Sequence, residues 1–354
     1  MSENECEPSY FNSLNKLLSE KKPKKIAIFT HACPDPDAIG SIMAFGWAMS
    51  KLNPNIEWTG FFDGVVSHPQ NIAMVNLLDP NMRPVSEFKI SEFDFFVCVD
   101  TVPVNAGLGV NSVKFDLVID HHREIPNGGF NGLFINLKAG SCCATVYHLI
   151  TLLELKFEDD NDNDSKVATA IMVGISTDTE NLMSDDATNY EFNAWSELFE
   201  FRNPAILKRI VHFGRPKYWI DHKAEAVKNS VVVEGVCVVG IGSINGIHRD
   251  MIADMADEIV TWEDVNTAVA FAIIDGDRIE GSVRSRNASV MVPNLCKELA
   301  SKHGVGGGKL NKGAYRYSLG GSAIEEEDDE DIKKKMWDLL NDKESRRIFK
   351  IIKK

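Results

Sequence analysis

Asp120, His121 and His122 close the apolar run Phe115–Ile119. A short run of Phe, Leu, Val and Ile with polar flanks reads as a buried strand of an α/β sheet, so these three groups fall at its carboxyl end, where open sheets bind ligands. One histidine there would be an ordinary capping or surface residue. Here, carboxylates and imidazoles recur after other apolar segments: His31, Asp35 and Asp37 after Ile26–Phe29, Asp100 after Phe95–Val99, and Asp178 after Val167–Ile175. The carboxylates of Asp35, Asp37, Asp100 and Asp178 and the imidazoles of His31 and His121 cannot share one cleft without cations, because like charges in contact repel or force protonation. Carboxylate oxygens mixed with imidazole nitrogens suit Mn²⁺ and would accept Mg²⁺, Co²⁺, Fe²⁺ or Zn²⁺. Six donors match two divalent ions roughly 3.5–4 Å apart, bridged by Asp37 or Asp100, the two-metal arrangement for activating water against a phosphate ester. His122 is then the candidate catalytic group, placed to hydrogen-bond a phosphoryl oxygen or protonate the leaving oxygen. Asp120 is the candidate that orients an imidazole, with direct ligation as its alternative.

Elements with short connections must carry these groups. The strand Ile26–Phe29 runs into the 30–41 loop and an apolar helix over 42–52, so His31, Asp35 and Asp37 share one strand-to-helix loop. Pro34 and Pro36 stiffen it, which orients the carboxylates before any ion arrives. Strands are expected near 58–62, 95–99 and 115–119, a helix over 144–155, and the apolar segment 167–175 as the fourth to end in a polar group. This alternation predicts an α/β fold with a mostly parallel sheet flanked by helices. An amphipathic pattern over 190–225 suggests a helical connector, and residues 231–239, 267–274 and 280–286 give a second, smaller α/β domain. Residues 1–24 read as a leader helix and 323–354 as a charged tail.

With 354 residues, 44% hydrophobic and 25% charged, the chain can bury two cores. Seven scattered cysteines without metal-site spacing read as reduced thiols of a cytoplasmic protein. No stretch reaches the ~18 apolar residues of a membrane span, and the N-terminus lacks a signal pattern, so no membrane association is expected. A net charge of −14 argues against broad binding to long nucleic acid. Locally the balance inverts: residues 278–318 hold eight Lys and Arg against Glu280 and Glu298. Within that stretch, Gly306, Gly307 and Gly308 offer free backbone N–H groups suited to a phosphate nest, with a plain turn as the alternative. Arg284, Ser285, Arg286 and Lys309 lie close in sequence, and arginine can clamp a phosphate bidentately.

The 30–41 block, the Asp100 strand end, Asp120-His121-His122 and Thr177-Asp178-Thr179 together resemble the four motifs of the DHH phosphoesterase superfamily. Residues 280–308 resemble the glycine-rich associated domain of its nanoRNase/oligoribonuclease and pAp-phosphatase branch. The resemblance covers about 26 to 322. It implies a catalytic domain over 25–200, a connector over 201–225 and an associated substrate-binding domain over 226–322, with the active site in the cleft between the domains. It also implies two Mn²⁺-type ions on His31, Asp35, Asp37, Asp100, His121 and Asp178, with His122 facing substrate. Arg284, Ser285 and the glycine run would bind the body of a short nucleotide. Lys309 stands where relatives carry a histidine; lysine keeps a donor and adds charge. The implied activity is hydrolysis of short linear oligonucleotides to 5′-mononucleotides, with pAp phosphatase activity beside it. Cyclic-dinucleotide phosphodiesterase, exopolyphosphatase and a catalytically silent nucleotide binder are the alternatives. Homodimers are common among such relatives, which makes a homodimer an expectation here.

Overall fold

The computed structural model describes residues 3–103, 113–122, 130–301, 303–320 and 329–352. Lys302 of the basic stretch and residues 323–328 of the charged tail lie outside the described residues. The chain divides into two compact units, Met1–Gly214 and Arg215–Lys354.

Unit 1 runs α1 (Glu3–Lys21), β1 (Lys25–Phe29), α2 (Pro36–Leu52), β2 (Glu57–Phe62), α3 (Pro69–Leu78), β3 (Met82–Pro84), β4 (Phe95–Val99), β5 (Leu117–Ile119), β6 (Leu133–Ile135), α4 (Cys142–Leu152), α5 (Asp162–Asp178), α6 (Asn189–Leu198) and α7 (Pro204–Val211). Its six strands lie in the order β3-β2-β1-β4-β5-β6, and every pairing is parallel. Near-continuous apolar runs such as 26–29 are what a sheet buried on both faces requires. One face packs Ile26, Ile28, Val97, Val99 and Ile119 against α2, α4 and α5 through Ile39, Ile42, Val146 and Ile171. The other carries an aromatic layer in which Phe29, Phe61 and Val118 meet Phe88, Phe93 and Phe115. Strand order reverses between β1 and β4, which opens a crevice at their carboxyl ends.

The apolar segment 167–175, grouped above with strand-like runs, is instead the second half of α5. Asn161 caps that helix by accepting from the N–H groups of Asn163 and Asp164, and residues 167–175 are buried on every side. A helix without a wet face shows no 3.6-residue contrast, so periodicity could not identify it. Asp178 therefore ends a helix, not a strand. The short edge strands β3 and β6 carried no readable signal either.

Unit 2 runs α8 (Lys217–Lys228), β7 (Val231–Val233), β8 (Val236–Ile244), α9 (Met251–Ile259), β9 (Thr267–Ile274), β10 (Arg278–Ser285), α10 (Val292–Leu299), β11 (Val305–Gly308), β12 (Lys312–Ser318) and α11 (Glu330–Ile352). The sheet order is β11-β12-β10-β9-β8-β7, with β8 and β9 parallel and the other pairs antiparallel. The 231–239 segment is broken by a tight turn at Glu234 and Gly235, both at positive φ, as two-residue hairpins demand. Helices α8 and α9 cover one face through Trp219, Met251, Met255 and Ile259, and α10 with α11 covers the other through Val292, Cys296, Leu299 and Ile348. The 201–225 stretch thus divides between the units, α7 in the first and α8 in the second. No helix among the described residues is long and apolar enough to cross a membrane.

Candidate metal centre

The carboxyl ends of β1, β4 and β5 converge on one set of polar side chains. Asp35 is the N-cap of α2, its Oδ1 accepting from the N–H of Ala38 at 3.0 Å. Pro36 opens that helix with the fixed φ a first turn needs. The loop between His31 and Pro36 is pinned at two points: the Cys33 N–H donates to the Asp63 carbonyl at 2.9 Å, and Asn71 Nδ2 donates to the Pro34 carbonyl at 3.1 Å. After β4, Asp100 takes a left-handed backbone, φ +58°, held by its N–H to the Ile119 carbonyl at 2.9 Å. After β5, Asp120 Oδ1 accepts from the N–H of His121 at 2.8 Å and of His122 at 3.2 Å.

Three groups result, each close enough for one cation: His31, Asp35 and Asp100; Asp37, His121 and Asp178; and Asp100, His121 and His122. Asp100 joins the first two, its Oδ2 lying 3.4 Å from His31 Nε2 and its Oδ1 3.4 Å from His121 Nε2. His121 Nε2 also lies 3.3 Å from Asp178 Oδ2 and 3.9 Å from Asp37 Oδ2. All six donor residues read from the sequence as ligands are therefore gathered. His122 Nδ1 lies 2.8 Å from Asp120 Oδ1, and its ring is 38% exposed. Asp120 thus orients His122. The His122 carbonyl accepts from Asn136 Nδ2 at 2.7 Å, and both Asp37 oxygens accept backbone N–H groups of α4, from Cys142 at 2.6 Å and Cys143 at 2.8 Å.

Crowding perturbs the titrating groups. Burial alone would lower the His121 pKa, but Asp100, Asp37 and Asp178 push it up to about 10. Burial likewise opposes charge on His31, and Asp100 with Asp35 reverses that to well above its ordinary value. Burial raises the Asp37 pKa, and the charges of Asp100 and Asp178 raise it further. Asp100 resists the same burial penalty because His121 and His31 hold it below the carboxylate range. A cation removes these conflicts by requiring deprotonated ligands. The residues fit such an ion: Asp100 Oδ1 and His121 Nε2 are buried without a hydrogen-bond partner among the described residues, and the donors are carboxylate oxygen and imidazole nitrogen with no thiolate.

The residues read as substrate-binding belong to unit 2 and are not all free. Asp257 of α9 holds Arg284 through Nε and, at 3.0 Å, through Nη2. Ser285 is buried with its hydroxyl 2.9 Å from that of Thr267. Gly306, Gly307 and Gly308 form no nest or turn. They are the edge strand β11, with Gly306 opposite Tyr315, Gly307 opposite Ala314 and Gly308 opposite Gly313. Sequence could not show this, because the partner strand β12 carried no apolar run. Gly306 and Gly307 border a cavity of about 340 Å³ shared with Arg249, Ser282 and Arg316, and Lys309 is exposed just beyond the strand. Arg249 and Ser282 were missed, and Arg316 was counted only within the basic stretch 278–318. Ser282 on β10 and Arg316 on β12 sit at alternate positions of one face once those strands are paired, whereas Arg249, between β8 and α9, carried no local signal.

Residues 25–175 match the DHH family, N-terminal domain. Over 312 residues the chain is 28% identical to an uncharacterised protein of Methanocaldococcus jannaschii, covering 87% of this chain and 60% of that one. It is 27% identical over 222 residues to the bifunctional oligoribonuclease and PAP phosphatase NrnA of Thermus thermophilus, covering 62% and 64%. The matches therefore span less than two thirds of these curated relatives. The fold is similar to that of an exopolyphosphatase-related protein from Bacteroides fragilis, with a TM-score of 0.68, 16% identity and coverage of 96% and 98%.

Proposed function

We propose, from the match of residues 25–175 to the DHH family N-terminal domain, that this chain is a DHH-family, divalent-metal-dependent phosphoesterase. Its substrates would be short linear oligonucleotides, cleaved to 5′-mononucleotides, with 3′-phosphoadenosine-5′-phosphate hydrolysed as well. The observation that carries the reading is the gathering of His31, Asp35, Asp37, Asp100, His121 and Asp178 into two cation-sized groups that meet at Asp100. The choice of nucleotide over pyrophosphate or polyphosphate draws support from the likeness to the oligoribonuclease and PAP phosphatase.

These six residues would hold two divalent ions, with Mn²⁺ the best match to the donor set. When bound, such ions supply Lewis acidity and an activated water. The chain's own groups do the rest. Asp120 accepts the Nδ1–H of His122 and so fixes the ring with Nε2 turned outward, an acceptor when the ring is neutral and a donor when it is charged. In that orientation, His122 would bind a phosphoryl oxygen and pass a proton to the leaving oxygen. Arg316 beside Gly306 and Gly307 would hold the nucleotide body, and Arg249 and Arg284 join it only by leaving Glu280 and Asp257.

A time course with 5′-labelled RNA dinucleotide, pentanucleotide and 24-mer, 3′-phosphoadenosine-5′-phosphate, cyclic di-AMP and polyphosphate, each with Mn²⁺ or EDTA, tests this. EDTA-sensitive loss of the shortest linear substrates and the bisphosphate is expected. Preference for the cyclic dinucleotide or polyphosphate would move the substrate and keep the metal site. No turnover of any of them, with nucleotide still bound, would favour a silent binder.

A further inference from the structure

We infer that Glu191 is a positioning residue for Asp37, acting through the first turn of α4. The inference rests on the reading of Asp37 as a metal ligand.

Five consecutive backbone N–H groups, residues 140 to 144, are shared among three side chains. Glu191 Oε1 accepts from Gly140 at 2.9 Å and Ser141 at 3.2 Å. Asp37 takes the next two, from Cys142 and Cys143, and Ser141 Oγ takes that of Ala144 at 3.2 Å. Glu191 and Asp37 are both fully buried. The second Glu191 oxygen is fixed in turn, accepting the Thr188 N–H at 2.7 Å and the Thr188 hydroxyl at 2.6 Å in the capping box of α6. Four donors point at this carboxylate, so it has little freedom to move.

Steric contacts leave the turn no slack. A side chain at Gly140 would meet the Asp186 carbonyl oxygen at 2.6 Å. The backbone over 140–143 is therefore clamped on one side by Glu191 and the Asp186 strand of chain, and it presents its next two N–H groups to Asp37. Those two bonds set the plane of the Asp37 carboxylate, whose Oδ2 lies 3.9 Å from His121 Nε2 and which groups with His121 and Asp178 around one cation-sized space. Partners that orient a metal ligand typically change metal affinity 10–100-fold when removed. A residue that only caps α6 would not.

The experiment is a titration of the full-length, chelator-stripped protein with Mn²⁺ alone, followed by calorimetry or the spin signal of free Mn²⁺, with melting temperatures in parallel. Thr188→Ala weakens the α6 cap and leaves the Glu191 contacts to Gly140 and Ser141. Glu191→Gln turns an amide donor toward one of the two donor pairs. Glu191→Gln is expected to bind Mn²⁺ about 10–100-fold more weakly, while Thr188→Ala melts lower with affinity unchanged. Equal affinity in Glu191→Gln and the parent, or equal weakening in both variants, would overturn the inference. A parent protein that binds no Mn²⁺ would overturn the metal reading itself. Should Glu191→Gln fail to fold, Glu191→Asp, which keeps the charge and shortens the reach, makes the same comparison.

Discussion

Asp100 holds a left-handed backbone that an L-residue enters at a cost of about 1–2 kcal/mol, and it is the carboxylate on which His31 and His121 both converge. Strain of that kind, kept at a cluster of buried charges, marks a position the surrounding structure over-determines. The charges predict a pH response. His121 and His31 have folded-state pKa values above the ordinary value of about 6.5, so their contribution to stability is full below pH 6.5 and is lost as pH rises, for His121 through about 10. The raised Asp37 pKa acts with the same sign, since ionising it in the fold costs stability above its unfolded value, and Asp100, held low, matters only in acid. Metal-free protein is therefore expected to melt at a lower temperature at pH 9 than at pH 6.5. With saturating Mn²⁺ the added stabilisation grows over the same range, because the ion needs deprotonated ligands. Calorimetry with and without chelator checks both, and a flat profile without metal would sink the account. Asp120→Asn should cut turnover about 10–100-fold while leaving Mn²⁺ affinity near that of the parent, because it disturbs the His122 ring. The identities of these residues were legible because three of the ligands lie within seven positions, across the β1–α2 loop and the first turn of α2, and the histidines adjoin a strand end. Their division of labour was not: which aspartate the groups share depends on distances between chain segments far apart in sequence.

At the scale of elements, α2 runs buried from Pro36 to Met49 against α4 and α5, and glycines allow that approach. A β-carbon at Gly174 would lie 2.5 Å from Cys143 Sγ and 3.0 Å from the Asp37 Cα. Gly174→Ala should therefore destabilise unit 1 by about 1–3 kcal/mol through overpacking, more than the roughly 1 kcal/mol that alanine returns as helix propensity, and should weaken Mn²⁺ binding by shifting Asp37. Denaturant melts together with a metal titration check it; a stabilised variant of unchanged affinity would contradict it. The strands β1 and β9, apolar runs with polar flanks, were readable, and α2 was read over 42–52 from the length of its apolar run, though not its start at Pro36. Helix α5 and strand β11 were not, the first because burial on all sides removes its periodicity, the second because three glycines become a strand only against β12.

At the scale of the molecule, the two units have separate cores, and α11 belongs to the second. Ile348 is fully buried against the β10–β12 side of the sheet with Val283 and Leu299. The buried Glu344 accepts from the Tyr317 hydroxyl at 2.7 Å and pairs with Arg347, whose Nη2 also reaches the Leu299 carbonyl at 2.8 Å. Ile348→Ala is expected to cost about 2–5 kcal/mol and to lower one calorimetric transition while leaving the other, that of unit 1, in place; a uniform shift of both would contradict independent cores. The sequence alone thus determined the α/β class, the parallel sheet and the set of donor side chains, because each is written in local runs and short spacings. Only the tertiary structure decided that Asp178 ends a helix, that Arg284 is engaged by Asp257, that the glycine run is an edge strand and that the tail helix completes a core. Each of those depends on a partner distant in sequence, and no local pattern encodes the partner's position.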